Sequence, residues 1–502
     1  MNIGSSLLTV DPLQGAIHYH RQGQFDRAIE LYEMFMKQFP GHSQALYLCG
    51  LAHQERGEMS RAVERISQAI LLEPAQADYH VSLGTLLRQH GHSRLAAECF
   101  TAALQLAPDD KETQFNLADT WMDLGQIASA MEHFAMVLRL DPQCVPAYIN
   151  LGLCLKSVGR FDEAIVCFRQ ACMLQPDSVE AHINHAMVLL LVGRYQEGWR
   201  EYAWRFRLES IQSAQPQLPP SLQPWNGESL VGKTLLVLAE QGYGDNIQFV
   251  RYLPLLQQRG ARVMLQCHAP LLPLFESITG IDRLIPYGDS DALGRAAMES
   301  DGYCHLLSIP SLVGTTVTTV PDVPRQLLSL PQSVISHWQR YVCGDGIKVG
   351  LVWHGKPLHR NDPARYRSCS LSQLMPLAEI SSATFYSLQA RQDSGARAEI
   401  PAAAFVIDLG DDLVDFQQTA AAMMQLDLII TVDSAAAHLA ATLGKPTWLL
   451  LPCAPDWRWG AHDNETPWYP TMHLFRQRVP GDWGHPVQAI KNRLAMLIQR
   501  CR

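Results

Sequence analysis

The chain has 502 residues, which excludes a single hydrophobic core and predicts about three domains at roughly 150 residues each. Its net charge of −9 and isoelectric point near 6.1 give no electrostatic reason to expect nucleic acid or an anionic membrane as a partner. No apolar run approaches the ~20 residues that span a bilayer, no secretory signal opens the chain and the 12 cysteines form no C-x-x-C pair, so we expect a cytoplasmic protein with reduced thiols and no transmembrane segment.

Residues 9–209 show a period of 34 residues. Glycines recur at this spacing, and alanines and prolines keep the same period. The glycines are Gly23, Gly57, Gly91, Gly125, Gly159 and Gly193. This pattern is typical of the tetratricopeptide repeat (TPR), in which two helices joined by a Gly-containing turn form one unit. We expect five clear repeats and a degenerate sixth, stacked into an all-α superhelix whose concave groove holds a protein partner.

Three asparagines keep the same period at the sixth position of the unit. They are Asn116, Asn150 and Asn184, and the pattern places them on the first helix of each unit, facing the groove. A ladder of asparagines can hydrogen-bond the backbone of an extended peptide without reading its side chains. The alternative is that asparagine is simply common at this position of the repeat.

The degenerate sixth repeat is rich in aromatic residues. Trp199, Tyr202, Trp204 and Phe206 replace the usual small and polar mixture, which predicts that this repeat closes the array by docking on the next domain. Residues 210–230 follow it, are rich in Pro, Gln and Ser, and are predicted to form a linker.

From residue 231 onward the pattern changes to short apolar runs that alternate with helical stretches. Such alternation predicts parallel sheets covered by helices. The runs fall into two sets, so we expect two Rossmann-like halves, residues 231–340 and residues 341–502, that face each other across a crevice. The crevice is the expected binding site.

The loop after the first strand of this region contains Gly242, Gly244 and Asp245, and a helix is predicted to begin near Ile247. The loop resembles half of a dinucleotide fingerprint, but Ile247 stands where the third glycine belongs, which argues against nicotinamide or flavin. Two glycines let the backbone approach a ligand, and a carboxylate at the end of a strand can accept a proton from an attacking hydroxyl. Asp245 is therefore either a catalytic base or an N-cap of the following helix.

A second motif joins a buried strand to a helix of small residues. It contains Asp433, Ser434, Ala435 and His438. Ser434 can cap the helix, whose free amides and positive dipole end form an anion site. His438 lies one turn further on the same face, where it either donates to a phosphate or is a packed core histidine.

A third candidate segment follows the first strand of the second half. His354 and Lys356 come directly after this strand, and Arg367 ends the polar loop beyond it. These cations suit a phosphorylated leaving group, and the alternative is a solvated basic loop. Asp289 and Asp291 have the D-x-D form of some metal-dependent sugar transferases, but no further ligand set is near them, so no metal is expected.

Taken together, these segments resemble a known family. The pairing of GYGDNIQFVRYLPLL with VDSAAAHLAATLGKPTWLLLP and PDWRW, after a TPR array, is similar to bacterial repeat-containing glycosyltransferases whose catalytic region resembles glycosyltransferase family nine, the heptosyltransferases. The resemblance implies a two-Rossmann glycosyltransferase B (GT-B) fold with the acceptor on the first half and a nucleotide-sugar on the second. It also implies an inverting, metal-independent reaction in which the nucleotide-sugar is a substrate and no cofactor is used.

The resemblance also implies roles for individual residues. The aspartate of the family's Gly-Asp motif falls on Asp245, and the Asp-(Ser/Thr)-Gly-x-x-His motif falls on Asp433, Ser434 and His438, which would hold the donor. This chain departs from the family at Ala435, where heptosyltransferases usually carry glycine. A basic residue of the family corresponds to Lys356. Trp457, Arg458 and Trp459 resemble a signature of the repeat-containing group and either line the donor site or lock the domains together.

The resulting expectation is a cytoplasmic glycosyltransferase that recruits a protein through its TPR groove and transfers a sugar to a hydroxyl of that protein, flagellin or another surface protein being an example. One alternative keeps the enzyme but has a lipopolysaccharide or other glycan as acceptor. The other is a non-catalytic TPR scaffold whose GT-B region has decayed.

Overall fold

A computed structural model describes residues 12–324, 326–343, 346–355, 367–390, 393–403 and 405–501. These residues form two compact units, one ending at Ala181 and the other beginning at His182. No helix within the described ranges is both long and apolar enough to cross a membrane.

Within the described part of the first unit, ten helices form five antiparallel pairs. The helices are α1 (Pro12–Arg21), α2 (Phe25–Gln38), α3 (Ser43–Glu55), α4 (Met59–Leu72), α5 (Ala77–Gln89), α6 (Ser93–Leu106), α7 (Lys111–Asp123), α8 (Ile127–Leu140), α9 (Val145–Ser157) and α10 (Phe161–Leu174). The predicted turn glycines lie between the two helices of each pair, and all five have a φ between 72° and 80°. Only glycine adopts this left-handed conformation without strain, which explains the strict 34-residue spacing.

In several of these pairs the two helices approach each other closely. A Cβ on Gly84 in α5 would lie 2.8 Å from Phe100 Cε1 in α6, and a Cβ on Gly152 in α9 would lie 2.7 Å from Phe168 Cε1 in α10. Phe100 and Phe168 are fully buried. The absence of a side chain at these glycines lets an aromatic ring fill the space between the helices, so small residues recur at this position.

Helix α11 (Val179–Leu191) spans the division between the units, and the second unit continues with helices and two sheets. Its remaining α-helices are α12 (Tyr195–Tyr202), α13 (Glu209–Gln212), α14 (Tyr243–Phe249), α15 (Leu253–Gln258), α16 (Leu272–Phe275), α17 (Ser290–Met298), α18 (Ile309–Leu312), α19 (Gln332–Tyr341), α20 (Ser394–Arg397), α21 (Phe416–Met424), α22 (Ala435–Thr442) and α23 (Gly484–Cys501). Short 3-10 helices include Ala203–Arg207, Leu306–Ser308 and Trp457–Trp459.

The first sheet has four parallel strands in the order β3-β2-β1-β4. The strands are β1 (Thr234–Leu238), β2 (Arg262–Cys267), β3 (Arg283–Pro286) and β4 (Gly302–His305). All five residues of β1 are buried, as expected for a central parallel strand. The order of the strands reverses between β1 and β4, which makes the carboxyl ends of these two strands a switch point of the kind where ligands bind.

The second sheet has six parallel strands in the order β10-β9-β8-β5-β6-β7. The strands are β5 (Ile347–Val352), β6 (Ala383–Ser387), β7 (Val406–Asp408), β8 (Leu428–Val432), β9 (Thr447–Leu451) and β10 (Met472–Arg476). Its switch point lies between β5 and β8, whose carboxyl ends lead to two of the three predicted motifs. The expected parallel sheets with helices are therefore present.

The aromatic residues of the degenerate repeat pack inside the second unit. The indole of Trp199 donates to the carbonyl of Thr315 at 3.2 Å, and the indole of Trp468 donates to the hydroxyl of Tyr195 at 2.9 Å. Trp199 also packs edge-on against Trp457, with ring centroids 5.3 Å apart. Helix α12 therefore docks on segments of both sheet-containing halves.

The predicted D-x-D segment has a local structural role. Asp289 is the N-cap of α17, and its carboxylate accepts a hydrogen bond from the backbone amide of Ala292 at 2.9 Å. An aspartate at this position satisfies an otherwise unpaired amide of the first helical turn.

Candidate active site

The loop between β1 and α14 places Asp245 at the start of a helix. Helix α14 begins at Tyr243, so the expected start near Ile247 is wrong and Asp245 lies in the first turn. Its Oδ2 accepts a hydrogen bond from the amide of Gly242 at 2.9 Å. Gly242 is itself the N-cap residue. Asp245, at the third helical position, accepts the hydrogen bond of the N-cap amide, as the acidic residue of a capping box does. Its other oxygen, Oδ1, makes its hydrogen bond outside this helical turn.

That second oxygen belongs to a buried charge cluster around Arg458. The guanidinium of Arg458 donates to Oδ1 of Asp245, to Oδ1 of Asp456 at 2.8 Å and to Oε1 of Gln248 at 2.7 Å. Arg458 is 7% exposed. Asp245 and Gln248 belong to the first half and Arg458 to the second, so this residue joins the two halves. Of the two roles expected for the Trp457–Trp459 segment, these contacts favour the locking role.

Burial and the cluster around Arg458 also change the pKa of Asp245. Burial raises the pKa of Asp245 above its usual range, and the neighbouring Arg458 offsets this rise only in part. The pKa of Asp456 lies below its usual range because Arg458 outweighs the effect of burial. A carboxylate with a raised pKa is a better proton acceptor than an ordinary aspartate.

The strand β8 ends in the second predicted motif, where Asp433 is paired with Arg367. The guanidinium of Arg367 lies 3.0 Å from Oδ2 of Asp433 and donates to its backbone carbonyl at 2.9 Å. Burial raises the pKa of Asp433, which is 4% exposed, and Arg367 opposes the rise. Ser434 follows in an extended conformation at the N-cap position of α22, but its side chain makes no capping hydrogen bond and its Oγ lies 3.3 Å from Oγ1 of Thr431, so the expected cap is wrong. The structure thus brings two sequence-predicted residues together at the start of this helix.

His438 lies in the first turns of α22 and is covered on several sides. Its Nδ1 is 2.9 Å from the hydroxyl of Tyr469, and its ring stacks on Trp459 with centroids 5.1 Å apart. Its remaining side faces α14, because a Cβ on Gly244 would lie 2.9 Å from His438 Cδ2 and 3.3 Å from the Cα of Ala435. The role of His438 as a phosphate ligand stays a prediction, and the contacts seen here are those of a packed histidine.

Burial, assisted by the nearby Arg458, lowers the pKa of His438 well below 6.5. Below about pH 6.5 the unfolded chain therefore takes up a proton at His438, whereas the folded protein does not. Protonation of the unfolded state lowers the unfolding free energy, so the stability that His438 leaves intact above pH 6.5 is lost progressively in acid. We expect His438→Gln, which can still pair with Tyr469, to reduce the acid loss of unfolding free energy between pH 6.5 and 5 by about 1 kcal/mol per pH unit, measured by urea unfolding. Tyr469→Phe should keep the wild-type slope, and an unchanged slope in His438→Gln would contradict the assignment.

The strand β5 ends beside Asp433. The side-chain oxygen of Gln389 accepts from the backbone amides of Trp353 and His354, each at 2.9 Å, and so fixes the end of the strand. A Cβ on Gly355 would lie 3.5 Å from the carbonyl oxygen of Asp433. His354 thus lies at the same sheet edge as the second motif. The predicted donor contact Lys356 lies outside the described residues.

One residue of the predicted asparagine ladder, Asn150, has a side-chain partner within the first unit. The amide of Asn150 donates to Oδ1 of Asp119 at 2.8 Å, and Asp119 is also 3.2 Å from Arg88. Asn116 is half-buried on the preceding first helix. Asn184 belongs to the second unit. An Asn150 amide that already has a carboxylate partner helps to join successive repeats, and peptide binding by the ladder stays a prediction.

Sequence reasoning missed several buried polar residues near the site. Glu240, Gln248 and Asp456 are contacts of the candidate loop or of Arg458, and Arg205 pairs with Glu240 at 2.8 Å. Sequence reasoning did not find these residues because their contacts are distant along the chain or because their residue types are normally found at the surface. The one available signal was the segment Asp456 to Trp459, in which an acidic and a basic residue alternate with two tryptophans.

Comparison with known proteins identifies the first part of the chain. Tetratricopeptide-repeat families match residues 19–86, 81–143 and 145–178. This region is a TPR array. The chain is also 27% identical over 311 residues to Protein FlbA of Caulobacter vibrioides, which covers 57% of this chain and 50% of FlbA. It therefore spans about half the length of this curated relative.

Solved structures of TPR proteins are similar to about a third of this chain. The crystal structure of YrrB, described as a TPR protein with an unusual peptide-binding site, is 22% identical, has a TM-score of 0.32 and covers 34% of this chain and 88% of YrrB. MamA from Desulfovibrio magneticus RS-1 is 20% identical, has a TM-score of 0.31 and covers 33% of this chain and 94% of that protein. Stacked tetratricopeptide repeats present extended surfaces that bind other proteins.

Proposed function

We propose that the second unit is a GT-B glycosyltransferase, in which a sugar moves from a nucleotide-sugar to a hydroxyl group of a protein recruited by the TPR array. The reaction is inverting, needs no metal or cofactor and takes place in the cytoplasm. Asp245 removes the proton of the acceptor hydroxyl, whose oxygen forms the new bond to the anomeric carbon. The bond from that carbon to the donor phosphate breaks, and the nucleotide leaves with the electron pair.

The observation that carries this proposal is the meeting of two motifs that are far apart in the sequence. Gly244 approaches Ala435 and His438 so closely that no side chain would fit at Gly244 without displacing His438. The following residue, Asp245, is therefore at the junction with α22, where Ser434 begins the helix. A carboxylate with a raised pKa beside a helix N-terminus is the pairing that base-assisted transfer from a phosphate requires.

The charges around the junction suit a leaving phosphate. Arg367 lies at the start of α22 next to Asp433, and the amides of the first helical turn follow Ser434. Guanidinium groups and helix N-termini both stabilise phosphate oxygens. In this proposal Arg367 and the α22 amides hold the donor phosphate, and Asp433 orients Arg367.

A second candidate is a scaffold that binds proteins through the TPR array without catalysis. It is favoured by the same close packing. Gly244 covers His438, and each of the three guanidinium nitrogens of Arg458 donates a hydrogen bond to a side chain of the protein. In this alternative the two halves form a rigid support and no nucleotide binds at α22.

A thermal-shift titration with nucleoside diphosphates and their sugars separates the two candidates. A donor at about 100 times its dissociation constant should add about 2.7 kcal/mol of stability. Ser434→Asp introduces a residue that is favoured at N-cap positions but places a negative charge where the phosphate would bind, so it should abolish the shift. Ser434→Asn has the same size and no charge and should keep the shift. Absence of a shift with every nucleotide would favour the scaffold.

A further inference from the structure

A buried ion pair within the second unit joins the 3-10 helix Ala203–Arg207 to the loop that carries Asp245. Nε and one terminal nitrogen of Arg205 donate to the two carboxylate oxygens of Glu240 at 3.1 and 2.8 Å. Side chains of this pair are only 5% and 8% exposed. Glu240 lies between β1 and α14, and Arg205 lies in the 3-10 helix that directly follows α12. A bidentate pair fixes orientation as well as distance.

The pair is completed by groups at the end of the neighbouring strand β4. The terminal nitrogen of Arg205 that donates to Glu240 also donates to Oγ of Ser308 at 2.7 Å, and the amide of Leu307 donates to Glu240 at 3.1 Å. The guanidinium packs over the ring of Phe206, with its carbon 4.1 Å from the ring centroid. These contacts satisfy a charge pair that would otherwise be costly to bury, and they lie at the switch point between β1 and β4.

The residue after Glu240 has a strained backbone. Gln241 has a φ of 62°, and among the residues that the structure describes it is the one non-glycine residue in the left-handed region. Its side-chain amide donates to the hydroxyl of Tyr202 at 2.7 Å. Strain of this kind persists only where surrounding contacts enforce it, and it is concentrated at functional loops.

We propose that Tyr202 and Arg205 are positioning residues that hold the loop from Glu240 to Asp245 in its strained conformation and thereby place Asp245 for catalysis. We refer to these two side chains and their contacts with Glu240 and Gln241 as the loop clamp. The hydrogen bonds of these two side chains to the loop go to Glu240 and Gln241 and not to Asp245, so their effect on Asp245 passes through the loop backbone. The catalytic role rests on the proposed glycosyltransferase function, whereas the holding of the loop does not.

The test uses the full chain with Tyr202→Phe, which removes one hydroxyl and leaves the ring. Tyr252→Phe is the matched control, because its buried hydroxyl is 3.0 Å from Oγ1 of Thr315 and does not contact the loop. We expect amide hydrogen exchange of residues 241–246 to accelerate about fivefold in Tyr202→Phe, the effect of losing a hydrogen bond worth about 1 kcal/mol. Tyr252→Phe should leave exchange in this segment unchanged.

Kinetics then distinguish positioning from general stability. Arg205→Lys keeps the positive charge but loses the bidentate geometry, so we expect kcat to fall about tenfold while KM for the nucleotide-sugar stays within twofold. A rise in KM with unchanged kcat would overturn the positioning role. Unchanged exchange of residues 241–246 in both Tyr202→Phe and Arg205→Lys would overturn the loop clamp itself. Absence of any transfer by the wild-type protein would refute the proposed function, and the exchange result would still decide whether the clamp holds the loop.

Discussion

Asp245→Asn should lower kcat for sugar transfer by about 10²- to 10⁴-fold, the usual contribution of a general base. The asparagine has nearly the same shape and can still accept the hydrogen bond from Gly242, but it cannot take a proton from the acceptor hydroxyl. The dissociation constant for the nucleotide-sugar should change by less than about threefold, because only the transition state loses an interaction. Steady-state turnover and calorimetric titration of the donor measure the two quantities.

Asp456→Asn is the matched control for this change. Both aspartates pair with Arg458, so both variants remove one carboxylate from the same guanidinium. Asp456 is not the proposed base, and its replacement should leave kcat within about tenfold of the wild-type value. If kcat fell equally in the two variants, the loss would be due to disruption of the Arg458 cluster and not to loss of a base. Wild-type turnover in Asp245→Asn would refute the assignment of the base.

Arg458→Met should lower the unfolding free energy of the second unit by about 3–5 kcal/mol, because it leaves two carboxylates without their counter-charge. The side chains of Asp245 and Asp456 are only 20% and 14% exposed, so water compensates poorly for the lost guanidinium. The loss should be smaller at low pH, where the carboxylates of both residues take up protons and no longer need a positive partner. Urea unfolding at several pH values, followed by tryptophan fluorescence, measures this dependence.

An exposed ion pair provides the control for that loss. Arg283 and Glu299 are 43% and 53% exposed, and Arg283→Met should change the unfolding free energy by at most about 0.5–1 kcal/mol. Arg458→Lys keeps the charge but cannot bind three acceptors in a planar fork, so it should be intermediate. A loss below about 1 kcal/mol in Arg458→Met would show that solvent screens the cluster and that the two halves are held by other contacts.

Features with a local physical cause could be predicted from the sequence. The turn glycines recur because the second helix of each pair needs a residue with positive φ before it. This requirement makes the TPR array recognisable in the sequence from Gly23 onward. The parallel sheets followed from short apolar runs alternating with helices. Because strands of a parallel sheet point the same way, the residues after β1, β5 and β8 could be expected at sheet edges without knowledge of the fold.

Features that depend on distant partners could not be predicted. Nothing local shows that Arg458 contacts both Asp245 and Asp456, or that Arg205 pairs with Glu240, since charged residues are normally exposed. The sequence predicts a start of α14 near Ile247, because Gly242 and Gly244 are typical of a loop. The helix begins earlier, at Tyr243, where it packs against α22. The burial of His438 beneath Gly244 likewise depends on the contact between two segments that are remote in the chain.

The central claim is that the second unit transfers a sugar to a hydroxyl group with Asp245 as base. Its most direct test is the transfer of radiolabelled sugar from a panel of nucleotide-sugars to a library of peptides containing serine and threonine. The proposal predicts labelled peptide with one nucleotide-sugar for the wild-type protein, with Asp245→Asn reducing the label at least about 100-fold. Absence of label with every donor, or equal labelling by wild type and Asp245→Asn, would contradict it.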